Sequence, residues 1–227
     1  MTDKVIDSFE ELHRIVQKYS SNTAIFRGMK CVDYELIPSV GRMKFICPKP
    51  QKEPDPEREE LIMFEKFKQR AIPYLEFNPA DEWDWLTLAQ HHGLPTRLLD
   101  WTLNPLVAAY FTVEDDFCNE DGVIYACLEI DRVNTKKHQD PFAVSFVGRF
   151  TPRHVTRRLT AQAGLFTVHP NPSEPVELTT KTDRLIIRKA LRRTLKTILY
   201  RYGIHKASLF PDLDGLAGHI KWLREAW

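Results

Sequence analysis

Long apolar runs are missing from this chain. No window approaches the roughly 20 consecutive apolar residues that a membrane-spanning helix needs. The opening MTDKVIDSFEELHRI is charged and amphipathic and lacks the apolar centre of a secretion signal. A cytoplasmic protein without a membrane partner is therefore expected. Cysteine is scarce and unpaired in pattern: Cys31, Cys47, Cys118 and Cys127 form no Cys-x-x-Cys pair and no zinc spacing. Free thiols in a reducing compartment, and no metal, are the expectation. An excess of one charge is lacking too, with 32 Lys and Arg against 31 Asp and Glu, so any polyanion site must be a local patch. The chain has no Gly-x-Gly-x-x-Gly, no Walker lysine loop and no Gly-x-Ser-x-Gly elbow. A Rossmann dinucleotide site, a P-loop nucleotidase and an α/β-hydrolase are disfavoured accordingly.

Against these absences stands ample material for a core: 13 Phe, 7 Tyr and 5 Trp in 227 residues, a length suited to one embellished domain. Residues 7–19 read as a helix within an N-terminal helical region, 1–22, with Ser8 as N-cap, Glu11 as its capping-box partner and Phe9, Leu12, Ile15 and Val16 as the apolar stripe. TAIFR, 23–27, reads as a buried strand that delivers Arg27 to its end, and four prolines in 47–56 mark an exposed loop. Helices are expected from Pro56 to about Tyr74, from Trp83 to a stop at Gly93, and onward from Asn104-Pro105. GVIYACLEI, 122–130, carries the clearest strand signal; 142–147, 164–169 and 185–188 read as further strands and 153–159 as helical. The region 189–227 reads as helices: Arg192–Tyr202 closed by Gly203, then a terminal helix capped by Asp212 with Leu213, Leu216, Ile220 and Leu223 along one side. Strands and helices mix without βαβ alternation. This points to an α+β single domain, 1–227, with a mixed or antiparallel sheet, open to being split, flanked by helices.

Polar residues among apolar ones mark candidate chemistry. An Arg at the end of a buried strand must find acceptors, because a lone desolvated charge costs several kcal/mol. The planar guanidinium of Arg27 suits bidentate pairing with phosphate or carboxylate. Either it grips a phosphate, with Gly28 letting a ligand approach the backbone, or it forms an internal salt bridge, for which Asp100 is the candidate. The densest stretch is AQHHGLPTRLLDWTLNPLVAAYFT, 89–112. His91 and His92 are adjacent, so their side chains diverge, and they lack His-x-x-x-His metal spacing. His92, Thr96, Arg97, Asp100, Trp101 and Asn104 can line a pocket with an aromatic wall beside a helix N-terminus, a natural anion seat; equally, they can be groups that cap nearby backbone. Gln162, in AQAGLFT, stands just before a strand. The basic residues between Arg184 and Arg201 read as a solvated face or as a patch for nucleic acid or an acidic partner.

Four segments in order, AIFRGMKCVDYELIPSVGR, LAQHHGLPTRLLDWTLNPLVAAYF, RLTAQAGLFTVHPNP and YGIHKASLFPDLDGLAGHI, resemble the FRG domain family, named for a tripeptide that is Phe26-Arg27-Gly28 here. By analogy of organisation the resemblance extends to ADP-ribosyltransferases: an Arg ends a first strand, a hydroxyl-bearing second strand leads into a helix, and a later strand carries Gln or Glu. It implies an NAD-using transferase or NAD glycohydrolase, a bacterial or phage toxin or defence effector, acting on a nucleic-acid or protein acceptor. Arg27, Asp100 and Gln162 would be catalytic, with Arg27 clamping a cofactor phosphate beside Gly28. Trp101 would stack on nicotinamide, and His92, Thr96, Arg97 and Asn104 would complete the cofactor pocket. Gln162 departs from the Glu usual in its position: a neutral amide can only hydrogen-bond, so either Asp100 supplies the negative charge, or catalysis is weak, or the fold only binds. Two alternatives stand beside this one. The first is a non-catalytic nucleotide- or nucleic-acid-binding module using Arg27 and the basic C-terminal helix; the second is an interaction domain in which Arg27 and Asp100 are a buried structural pair.

Overall fold

The most apolar segment, Gly122–Cys127, forms a strand with all six residues buried, and a run buried on both faces belongs inside a covered sheet. The computed structural model describes residues 2–19, 24–45, 55–75, 77–153, 156–176 and 181–225. In chain order the strands are β1 (Thr2–Ile6), β2 (Ile25–Met29), β3 (Leu98–Thr102), β4 (Gly122–Cys127), β5 (Asp131–Arg132), β6 (Gly148–Phe150), β7 (Gly164–Val168) and β8 (Thr182–Ile187). They make one sheet in the order β1-β8-β4-β2-β3-β7-β6-β5. The β1–β8 and β5–β6 pairs are parallel and the other neighbours antiparallel. The helices are α1 (Phe9–Val16), α2 (Pro56–Ala71), α3 (Glu82–His91), α4 (Pro105–Val113), α5 (Arg157–Ala161), α6 (Arg192–Arg201), α7 (Lys206–Leu209) and α8 (Leu213–Trp222). The fold is α+β with a mixed sheet, as the pattern of segments implies.

Strand alternation sorts the side chains onto two faces. On one face Phe26, Ile124, Ala126, Leu185 and Ile187 pack against α1, α4 and α6. The same face continues through Leu98, Phe166 and Val168 under Phe64 of α2 and Trp83 and Leu86 of α3. On the opposite face Ile25, Leu99, Trp101, Val123, Tyr125, Leu165 and Ile186 meet Leu36 from the loop after β2. The sheet has one thin joint. β2 shares five register pairs with β4 but only Phe26↔Thr102 with β3, so two groups of four strands meet along a seam.

Several local readings hold. Ser8 Oγ accepts from Glu11 N at 3.1 Å, while the Glu11 carboxylate reaches back to Asp7 N at 3.1 Å, one residue before the cap. Asp212 caps α8 through Gly215 N, and Gly203 ends α6 with φ of 77°. Others need correction. Residues 98–102, which include Asp100 and Trp101 from the expected pocket, are a central strand: its two neighbours bury Leu98, Leu99, Trp101 and Thr102 and leave only Asp100 exposed. Residues 2–6 form an edge strand on β8, not helix. The strand expected at 142–147 is a 3-10 turn over Pro141–Ala143, and pairing starts at Gly148. In α8, Leu213, Leu216, Ile220 and Leu223 are 82%, 46%, 53% and 46% exposed, so this stripe faces away from the core. The helix expected at 153–159 is α5, at Arg157–Ala161. The expected loop 47–56 lies outside the described residues except for 55 and 56.

Gly28 also has a different reason from the expected ligand approach. A Cβ there would stand 1.8 Å from the Ala108 carbonyl oxygen of α4. The glycine lets α4 lie directly on β2. Gly28→Ala is expected to destabilise the fold by about 1–3 kcal/mol through overpacking, read as a lower urea midpoint at unchanged m-value.

Candidate functional site

Arg27 stands one residue past the single β2–β3 pair, and its side chain, 18% exposed, crosses the seam. Nη1 donates to the main-chain carbonyl of Asp100 at 2.6 Å and lies 3.9 Å from Asp100 Oδ2. The guanidinium therefore satisfies a strand carbonyl beyond the last β2–β3 pair. Its Nε is buried and has no hydrogen-bond partner among the described residues. Burial draws the guanidinium below its ordinary pKa; the charge of Asp100 opposes this and that of Arg42 adds to it. The Asp100 side chain is 62% exposed. The expected Arg27–Asp100 pair thus exists, but it is half open and not a buried structural bridge.

A relay of side chains fixes Asp100 from behind. Its Oδ2 accepts from Gln90 Nε2 at 3.0 Å, and Gln90 Oε1 accepts from Thr96 Oγ1 at 2.6 Å. Thr96 Oγ1 accepts in turn from Leu98 N at 3.1 Å, and Thr96 N donates to Ser39 Oγ at 3.0 Å. Thr96 is buried, so it supports the site without facing it. Gln90 occupies the last turn of α3 and joins the core-bound Thr96 to the open carboxylate.

The remaining expected pocket residues are engaged elsewhere. Trp101 is 3% exposed, sits in the core beside Leu99 and Tyr125, and donates Nε1 to Thr167 Oγ1 at 2.8 Å. Strand alternation points it to the face opposite Asp100, so it is no stacking platform. Arg97 is 2% exposed. Its Nε and Nη2 reach Glu60 Oε2 at 3.0 and 2.9 Å, and its main-chain N donates to Glu60 Oε1 at 2.7 Å. Glu60 of α2 is the residue that sequence reasoning missed; it falls four before buried Phe64 on one helix face, a spacing that could have revealed it. Asn104 caps α4 through Leu106 N at 2.9 Å. Gln162 donates Nε2 to the Leu209 carbonyl at 3.1 Å, and its main-chain oxygen accepts from Thr102 Oγ1 at 2.6 Å. It therefore braces the turn before β7, tied to Leu209 and Thr102 rather than to Arg27. His92 is exposed, T-shaped against His91 at 4.9 Å, on the wall of a cleft between α2, α3 and α5. His91 is held below its ordinary pKa by burial and then by the charges of His92 and Arg158, with Asp100 pushing the other way.

His169, which follows β7 on the same face as Arg27, was also unforeseen as a site residue. It is 2% exposed, and its Nε2 lies 2.7 Å from Thr167 Oγ1. Trp101 can only donate to that oxygen, which leaves the threonine proton free to point at His169. Burial, aided by the charges of Arg27 and Arg97, pushes this imidazole down to about 3.

The basic C-terminal helix is largely spoken for. Arg192 is 7% exposed and donates to the carbonyls of Lys30, Asp115 and Glu120. Lys196, 8% exposed, holds the Glu114 carbonyl and pairs with Asp116. Nearby Arg184 pairs with Asp3, and Arg188 with Asp121. These cations anchor the acidic turn after α4 and the β1 edge. Among the described residues no group of three or more His, Cys, Asp or Glu is placed to hold a metal ion, and no helix is long and apolar enough to cross a membrane.

Two outcomes follow from these buried charges. Arg97→Ala strands the Glu60 carboxylate and should cost about 3–5 kcal/mol of unfolding free energy, measured by denaturant titration. His169 titrates near 6.5 when unfolded but only near 3 when folded. Between those values the unfolded chain holds the extra proton, so stability falls as pH is lowered through the interval. The melting temperature should decline on acidification from about pH 6.5, and His169→Gln should flatten that decline.

Comparison with known proteins bears on the first half of the chain. Residues 22–121 match the family model described as the FRG domain. That span contains Phe26-Arg27-Gly28, the Gln90–Asp100 relay and α4, whereas Gln162 and the C-terminal helices lie beyond it. No curated protein and no solved structure matches the chain. Residues 22–121 are thus similar to the FRG domain, and Arg27, which lies within that span, is the residue that crosses the seam of the sheet.

Proposed function

We propose that the chain is an NAD-using enzyme of the ADP-ribosyltransferase type, with its cofactor gripped where β2 and β3 part. The observation that carries this reading is Arg27, standing in the seam with a buried, unpartnered Nε and the open carboxylate of Asp100 beside it. The order β2-β3-β7 supports it as well: the Arg-bearing strand, the strand leading into α4 and the strand preceded by Gln162 lie side by side.

NAD supplies an ADP-ribosyl group whose bond to nicotinamide breaks with the electron pair leaving on nicotinamide, while an acceptor oxygen or nitrogen, or water, bonds to the ribose carbon and releases its proton. Arg27 fits the task of holding a phosphate, since a guanidinium donates in a fixed fork and stays charged. Asp100 fits the task of placing fixed negative charge near the ribose as positive charge develops. It has a carboxylate already oriented by Gln90, and Gln162, tied to Leu209, is not required for it. Trp101 does not serve as the aromatic partner, because it is sealed in the core.

Calorimetric titration of NAD, with nicotinamide release followed in the same samples, tests this reading. Wild type should bind and release. Arg27→Ala should lose binding, and Asp100→Asn should keep binding while release falls about a hundredfold or more, the order of effect seen when one electrostatic stabiliser is removed. Undiminished release from both variants sinks the proposal, as does a wild-type protein that neither binds nor turns over NAD.

A further inference from the structure

A large cleft, of about 1380 Å³, lies away from the seam, between α2, the end of α3, α5 and the Pro211-Asp212 turn. Drug-sized ligands occupy roughly 300–1,000 Å³, so this cleft exceeds the needs of one small molecule and suits an extended one. Its charge is one-sided in a chain whose net charge is only +1. Lys66 and Arg70 stand one helical turn apart on α2, and Arg157 and Arg158 face the cleft from α5. None of the four has a carboxylate within ion-pair distance among the described residues, and Asp212 is the one acid among the described lining residues. Other cations of the fold also lack a carboxylate at ion-pair distance among the described residues, so what sets the cleft apart is that four of them gather in one concavity, with Arg158 stacked on Phe210 at 4.6 Å. Aromatic surface lies among them. Phe67, Tyr74 and Phe77 line the same cleft, and Tyr74 is 84% exposed.

We infer that this cleft binds single-stranded nucleic acid. A strand offers phosphates to the cations and flat bases to the aromatic rings, the combination that sequence-tolerant single-strand sites use. A duplex offers the charge but hides its base faces, and an acidic peptide offers charge without flat rings. Exposed Tyr74 is the distinguishing group, because base stacking covers a ring that the protein leaves in water. The inference stands apart from the NAD reading, since it uses neither Arg27 nor Asp100.

The test is fluorescence anisotropy with a labelled 12-nucleotide single strand of mixed sequence, no NAD present, at several salt concentrations. Paired Arg70→Ala and Arg157→Ala substitutions, both at exposed positions, should weaken binding at least tenfold. They should also flatten the log–log salt slope by about 1.4, because each phosphate of a single strand that is no longer neutralised removes roughly 0.7 from it. Tyr74→Ala should weaken binding about tenfold with the slope unchanged, as the removal of a stacking ring does. Arg193→Ala, on the exposed side of α6, should have no effect. The inference is overturned if the cleft variants bind as wild type does. It is equally overturned if Arg193→Ala is the substitution that abolishes binding, if a duplex of the same sequence binds more tightly than the single strand, or if an acidic phosphopeptide binds and the oligonucleotide does not.

Discussion

One hydrogen bond across a seam organises this molecule. β2 and β3 share a single register pair, and immediately past it Arg27 reaches over to the Asp100 carbonyl. A guanidinium does there what a ladder bond does elsewhere, and it brings a charge to a place where backbone alone would bring none. The helix α4 reinforces the joint, for it follows β3 directly and lies on β2 where Gly28 has no side chain. The three residues Phe26, Arg27 and Gly28 therefore perform three separate tasks: core packing, seam bridging and helix clearance.

Around the seam the fold separates support from exposure. Ser39 holds Thr96, Thr96 holds Gln90, and Gln90 holds Asp100, so an open carboxylate is fixed by groups rooted in the core. Arg97 and Glu60 pin β3 to α2 below it. Trp101, Thr167 and His169 form a second polar chain on the opposite face, kept neutral by burial next to two guanidinium groups. Polar residues that look like one pocket in sequence are thus divided between two faces of a sheet, because neighbours along a strand point in opposite directions.

The stretch 89–112 shows how far local pattern reaches. Its capping residues are legible: Asn104 before Pro105 signals the start of α4, and the structure places it there with its side chain on Leu106 N. Its strand is not legible. Asp100 and Thr102 interrupt the apolar alternation, and only the burial supplied by β7 and β2 on either side makes 98–102 a strand. Asp212 and Gly203 are similarly plain, being terminal signals that act within one turn. The stripe of α8 misleads for the converse reason: an amphipathic pattern states that a helix has an apolar side, not that the rest of the chain covers it.

The sequence by itself determined the class of fold, the position of most helices, the FRG tripeptide and Arg27 as a charge that must find acceptors. These depend on short-range propensity, capping and the cost of desolvating a guanidinium, all of which act within a few residues or on one group. Only the tertiary structure decided which acceptors were found. It assigned Arg97 to Glu60 across 37 positions, Gln162 to Leu209 across 47 and Arg27 to Asp100 across 73. It also collected Lys66, Arg70, Arg157 and Arg158 around one cleft from two distant helices. Partners so far apart in the chain are chosen by the packing of whole elements, and no local pattern of residues encodes that choice.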